Sequence, residues 1–153
     1  MLHPGTEAPD FTLPDEENRD TSLSSLLRDG PLVLYFYPAD FTPGCTREAC
    51  SIRDLHGDLV SAGLRVVGVS PQDVDSHVRF RKEHRLPFRL LSDPDKRVIR
   101  LYDVDGPFGI GVRRVTYLID RDRRIVDAVQ ADFRVGRHEQ FIREAIRHLQ
   151  SVH

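Results

Sequence analysis
Two stretches of the chain are near-continuous apolar runs. Residues 31–37 (PLVLYFY) and 64–70 (LRVVGVS) are rich in aliphatic, β-branched and aromatic side chains, the pattern of strands buried on both faces. Between them, residues 42–63 show helical periodicity and a glycine stop. A strand, a helix and a strand of this length predict a right-handed βαβ crossover in a parallel sheet. Residues 73–84 read as a second helix, with Val74, His77, Val78 and Arg81 at three-to-four spacing. A short strand at 89–91 and a short helix at 95–102 follow. Residues 112–119 and 124–131 flank the turn Asp120-Arg121-Asp122-Arg123 closely enough to pair as an antiparallel hairpin. Residues 136–149 close the pattern as an amphipathic helix through Phe141, Ile142, Ala145, Ile146 and Leu149. Ahead of the first strand, residues 4–13 form an extended arm and 15–20 a polar turn. Ser22 or Ser24 then caps a short helix through Leu27, ended by Asp29-Gly30. The elements predict an α/β fold, a mixed central sheet with helices on both faces. Strand order does not follow from pattern.

No repeat, charge block or linker divides the chain, so residues 1–153 are read as one domain. With 39% hydrophobic and 30% charged residues, the composition suits a globular protein with its own core and excludes collagen-like, low-complexity and disordered classes. A net charge of −2 offers no electrostatic case for nucleic acid or an anionic membrane. No apolar run approaches the ~20 residues of a membrane span. The opening Met1-Leu2-His3-Pro4-Gly5 lacks the regions of a signal peptide, so the expected compartment is the cytoplasm.

The two cysteines, Cys45 and Cys50, change the picture most. A secreted disulfide scaffold would carry more. Zinc usually takes four ligands, and only His56 lies close enough to join the pair locally. Two inert core residues or a redox pair remain. The segment from Pro38 to Cys50 leaves the carboxyl end of a buried strand, turns at Pro43-Gly44 and enters a helix, the place where open α/β sheets usually bind ligands. A thiol in a first helical turn faces free N–H groups and the positive end of the helix dipole; both favour the nucleophilic thiolate. Cys45, Ala49, Ile52, His56 and Leu59 share one stripe, which turns Cys45 toward the core. Cys50 is five steps of ~100° further, about 140° around the helix, with Cα atoms roughly 8–9 Å apart. A disulfide usually needs about 4.4–6.8 Å, so bonding would require the helix to unwind locally.

Pro38-x-x-x-Thr42-x-x-Cys45 resembles the active-site pattern P-x-x-x-T/S-x-x-C of the peroxiredoxins. The longer stretch Tyr35-Phe36-Tyr37-Pro38 … Thr42-Pro43-Gly44-Cys45-Thr46, with Cys50 five residues on, is similar to the peroxiredoxin Q, or bacterioferritin comigratory protein, group. Pro9-Asp10-Phe11-Thr12-Leu13 and Arg114-Val115-Thr116-Tyr117-Leu118-Ile119-Asp120 extend the likeness over nearly the whole chain. The resemblance implies a thioredoxin-like fold and a thiol peroxidase acting on hydrogen peroxide and alkyl hydroperoxides. It implies Cys45 as the peroxidatic cysteine and Cys50 as the resolving one, joined as a disulfide that thioredoxin or a similar dithiol protein reduces. Thr42 would bridge thiolate and peroxide, Pro38 would limit water, and Arg114 would stabilise the charge. No metal, haem or flavin is implied, and a monomer is expected.

Simpler readings stand beside these. Pro38 also ends a strand, Thr42 also sits at an N-cap, and Pro43 also suits an early helical position. Arg113 points to the opposite strand face from Arg114, and only the resemblance selects Arg114. Glu48 is a candidate for the active-site network, although an acid near a helix start is common for the dipole alone. His56 is read as packed or surface-directed, and His77, His84, His138 and His148 as surface residues. Ala39-Asp40-Phe41 departs from the lysine-containing version in relatives, and Asp40 is expected to put a negative charge near the mouth. Residues 106–111 read as a wide glycine-rich loop. A peroxide sensor relaying oxidation to a partner would use the same residues. A thiol–disulfide oxidoreductase usually carries the closer C-x-x-C spacing, and a zinc module is the weakest rival.

Overall fold
The computed structural model describes residues 1–152. Its strands are β1 (Thr12–Pro14), β2 (Asp20–Ser22), β3 (Leu32–Phe36), β4 (Arg65–Ser70), β5 (Arg89–Ser92), β6 (Val115–Ile119) and β7 (Ile125–Gln130). Its α-helices are α1 (Leu23–Leu26), α2 (Pro43–Ser61), α3 (Val74–His84), α4 (Arg97–Leu101) and α5 (Gly136–Val152). The five longer strands form one sheet in the order β5-β4-β3-β6-β7. β3 pairs parallel with β4 and β4 with β5, whereas β3–β6 and β6–β7 are antiparallel. The mixed sheet expected from the pattern is present, and β3 lies at its centre. All five β3 residues are buried, which explains the uninterrupted apolar run.

Alternation along the strands divides the core in two. Val33, Tyr35 and Tyr37 face Cys45, Ala49, Ile52 and Leu59 of α2, Phe80 of α3, and Phe141, Ile142, Ala145 and Ile146 of α5. Leu32, Leu34 and Phe36 face the other way, onto Phe11, Leu13, Leu23, Val98, Ile99 and Tyr102. Helices therefore cover both faces, and Cys45 belongs to the α2/α3/α5 side.

The departures from expectation have local causes. α4 begins at Arg97, two residues late, because Lys96 sits at φ 61° and a left-handed residue cannot extend a right-handed helix. β6 starts at Val115, three residues late. Val112 is bridged to Asp105, Arg113 N–H donates to the Val104 carbonyl, and Arg114 N–H donates to Asp132, so this segment is committed elsewhere before it joins the sheet. The polar stretch at 15–20 is the turn of a small β1–β2 hairpin, held by Glu17 and Arg19 N–H groups donating to the Asp15 carboxylate. On α3 the buried face is Ser76, His77 and Phe80, while Val78 is 42% exposed, so the stripe is phased differently from the predicted one.

α2 ends as anticipated. Gly63 takes φ 80°, and the Leu64 N–H reaches back to the Leu59 carbonyl in a Schellman closure. Across the parallel pair, Gly68 stands opposite Tyr35, and a Cβ built there would lie 2.7 Å from Tyr35 Cζ. The Tyr35 ring cannot retreat, because it stacks on Tyr37 at 5.3 Å and meets Phe88 edge-on at 6.1 Å. Gly68→Ala should therefore overpack the core and lower stability by about 1–3 kcal/mol. Urea unfolding should show the midpoint falling with an unchanged slope; an unaltered midpoint would mean the aromatic stack yields freely.

Candidate active site
The loop from Pro38 to Thr42 carries the chain from the end of β3 to the start of α2. Thr42 takes the N-cap position with φ −74° and ψ 149°, and Pro43 is the first helical residue, where its missing N–H costs nothing. The first helical bond runs from Thr46 N–H to the Thr42 carbonyl at 2.9 Å, so the N–H groups of Gly44 and Cys45 precede the hydrogen-bonded ladder. Thr42 lies exposed, and its hydroxyl donates to the Ala39 carbonyl at 3.2 Å, closing the loop on itself. Pro38 is half-buried at the strand end.

Cys45 is a free thiol, 1% exposed, on the inner side of the first turn of α2. Arg114 reaches it from the segment before β6, with Nη1 3.4 Å from Cys45 Sγ and 2.8 Å from Glu48 Oε1. The guanidinium passes so close to α2 that a Cβ on Gly44 would lie 3.1 Å from Nη2, which is why a residue without a side chain suits that position. The Arg114 backbone N–H donates to Asp132 Oδ1 at 2.7 Å, and its Nε donates to the Asp132 carbonyl at 3.4 Å. Arg113 points away and donates to the Asp105 carbonyl. Of the two neighbours, Arg114 and not Arg113 stands beside Cys45 Sγ.

Glu48 lies beyond the first turn of α2 and is 1% exposed, which sets aside the reading of it as a dipole residue. Burial pushes its carboxyl up to about 7, against the opposing charge and hydrogen bond of Arg114. Its second oxygen has no hydrogen-bond partner and lies 3.6 Å from His138 Nδ1. His138 is fully buried rather than on the surface. Its Nε2 donates to the Ala131 carbonyl at 2.9 Å, and its Nδ1 pairs with the Thr116 hydroxyl at 2.8 Å. Burial, aided by the charges of Arg114 and Arg137, holds this imidazole below its ordinary range. The signal was present in the pattern, since His138 stands three and four residues before Phe141 and Ile142 on the apolar stripe of α5.

Asp40 and His77 also lie inside, not at the surface, and form a pair apart from this cluster. Cys50 is half-buried, on the same unbroken helix as Cys45 and also a free thiol. The structure thus brings Cys45, Glu48 and Arg114 together and keeps Cys50 outside their contacts. A thiol beside a fixed guanidinium, at the start of a helix, is equipped to react as a thiolate and to stabilise negative charge on a departing group.

Residues 4–128 match the AhpC/TSA family. Over 149 residues the chain is 40% identical to peroxiredoxin Q, chloroplastic, of Oryza sativa subsp. japonica, covering 97% of this chain and 67% of the relative. The crystal structure of Mycobacterium tuberculosis peroxidoxin BcpB superposes with a TM-score of 0.90 at 36% identity, covering 100% of this chain and 99% of that one. The Xanthomonas campestris bacterioferritin comigratory protein, solved in trapped intermediate and ligand complexes that address its alkyl peroxide reduction activity, gives 0.82 at 30% identity. That superposition covers 91% of this chain and 92% of the other.

The elevated Glu48 has a consequence for stability. The folded protein keeps this proton up to about 7, the unfolded chain only to the ordinary 4.5, so stability is full below 4.5 and falls as pH rises toward 7. Urea midpoints measured from pH 4.5 to 8 should show this decline, and Glu48→Gln should remove it. A decline of equal size in the variant would show that Glu48 is not its source.

Proposed function
This chain belongs to the AhpC/TSA family as a peroxiredoxin of the Q, or bacterioferritin comigratory protein, kind, and is a thiol-dependent peroxidase; we propose that Cys45 is its peroxidatic sulfur, Cys50 its resolving sulfur and a thioredoxin-type dithiol protein its reductant. The observation that carries the reading is the buried Cys45 Sγ 3.4 Å from Arg114 Nη1.

The substrates on this reading are hydrogen peroxide and alkyl hydroperoxides, in keeping with the alkyl peroxide reduction activity of the Xanthomonas relative. The Cys45 thiolate attacks the terminal peroxide oxygen, an S–O bond forms, and the O–O bond breaks. The departing oxygen takes up a proton and leaves as water or an alcohol, and Cys45 becomes a sulfenic acid. Arg114 stabilises both the thiolate and the charge that builds on the departing oxygen. On this reading the Thr42 hydroxyl, once turned from Ala39, bridges thiolate and peroxide, and Pro38 limits water. Cys50 then attacks the sulfenic sulfur, water leaves, and a disulfide forms. Because both cysteines start on one helix, the first turns of α2 must unwind before the sulfurs can bond. Exchange with an external dithiol restores both thiols.

Cys45→Ser should abolish peroxide turnover, since a serine hydroxyl stays protonated where a thiolate is needed. Cys50→Ser should still consume about one equivalent of peroxide and accumulate Cys45 sulfenic acid, detectable by mass spectrometry. Turnover retained without Cys45, or no oxidation without Cys50, would contradict the assignment. Arg114→Ala should slow single-turnover oxidation of Cys45 by on the order of 10²-fold, as loss of one charge-stabilising donor does elsewhere. Arg113→Ala should leave that rate near its original value; a reversed pattern would assign the charge to the wrong arginine.

A further inference from the structure
We infer that the buried Asp40–His77 pair is a positioning device for peroxide attack, tying the loop that presents Thr42 and Cys45 to helix α3. The inference rests on Cys45 being the attacking sulfur.

Asp40 lies two residues before Thr42, and its side chain, like that of His77, is 0% exposed. Its carboxylate accepts from the Tyr37 hydroxyl, the Ser76 hydroxyl and His77 Nδ1, each at 2.7 Å. Burial works against the charge, but the hydrogen bond and charge of His77, with Ser76 and Tyr37, hold the Asp40 carboxyl below its ordinary range. The other ring nitrogen of His77 faces the Leu91 carbonyl at 3.1 Å and the Ser70 hydroxyl at 3.4 Å. The imidazole thus stands between two acceptors, the Asp40 carboxylate on one side and the Leu91 carbonyl on the other. A polar pair sealed from water in this way adds little stability over apolar residues of the same volume. It does fix orientation, because separating the partners strands the buried Asp40 carboxylate.

The location shows what is oriented. Tyr37 follows β3, Ser70 ends β4, Leu91 lies on β5, and Ser76 and His77 belong to α3, so these elements converge on the Asp40–His77 pair, β3 and α3 on the carboxylate and β4 and β5 on the imidazole. The next residue, Phe41, has φ 65°, a conformation rare for an aromatic residue. Its ring meets Phe80 of α3 edge-on at 5.2 Å. Strained backbone of this kind persists only where its surroundings over-determine it. Asp40 and Phe41 together pin the loop to α3, and Thr42, which sets the start of α2 and the position of Cys45, follows directly. Ser76 and His77 act through the loop and are positioning residues, not catalytic ones.

The test compares two reactions of the same sulfur. In a Cys50→Ser background, so that one thiol reports, the rate of Cys45 oxidation by hydrogen peroxide and its rate of alkylation by iodoacetamide are measured with and without Asp40→Asn or His77→Gln. Alkylation needs the thiolate but not the donors arranged around a peroxide. Peroxide oxidation should slow about tenfold in each variant, the scale expected for a modest misplacement of reacting groups. Alkylation should stay within about twofold. Ser76→Ala keeps the Asp40–His77 pair and removes one donor; it should give the same selective slowing at about threefold, and it decides the matter if the other variants do not fold. Equal losses in both reactions, or an unchanged peroxide rate, would overturn the inference. A parent unreactive toward peroxide would sink the peroxidase reading and this inference with it. A reactive parent with unaffected variants would sink only the inference.

Discussion
Arg114 brings a positive charge into a region sealed from water, and the neighbouring structure is arranged to answer that charge. Burial works against the guanidinium, while the negative charge of Glu48 and the sulfur of Cys45 hold its proton more firmly than in water. Asp132 fixes its backbone and its Nε, and Gly44 leaves room for it to lie against α2. Without Arg114 the cluster would be a buried acid beside a buried thiol. With it, a cationic hydrogen-bond donor stands 3.4 Å from the sulfur inside the core. The sheet order serves this arrangement: β6 pairs with β3, so the segment before β6 passes beside the helix that β3 feeds.

The elements that were legible in the sequence are those whose burial is one-sided or complete. The runs of β3 and β4, the stripe of α2 and the stripe of α5 each satisfy one packing requirement, and residue type reports it directly. The inward face of Cys45 followed from the same periodicity. The functional class came from the resemblance to the peroxiredoxins, whose pattern Pro38, Thr42, Cys45 and Cys50 carry within one segment that requires no knowledge of the tertiary fold.

Polar groups that act from inside the core were harder to read. Pattern puts His77 and His138 at the surface and Asp40 near the mouth, because single polar residues usually lie in contact with water. Each is buried with partners from distant segments, such as Ser70 and Leu91 for His77 and Thr116 and Ala131 for His138. Pairing of this kind is decided by topology, and pattern does not report strand order. The late starts of α4 and β6 have the same origin, because a left-handed Lys96 and the bonds of Arg113 and Arg114 depend on loops elsewhere in the fold.

The placement of both cysteines on α2 reaches into energetics as well as motion. Under the proposed cycle, the oxidised chain gives up helical hydrogen bonds and the burial of Cys45 and Ala49, whereas the reduced chain keeps both. Everything that stabilises the dithiol form over the disulfide raises the reduction potential of the couple, by about 30 mV for each 1.4 kcal/mol in a two-electron exchange. A well-packed helix start therefore makes the disulfide a better electron acceptor. The order of the resting enzyme then helps to draw electrons from its reductant.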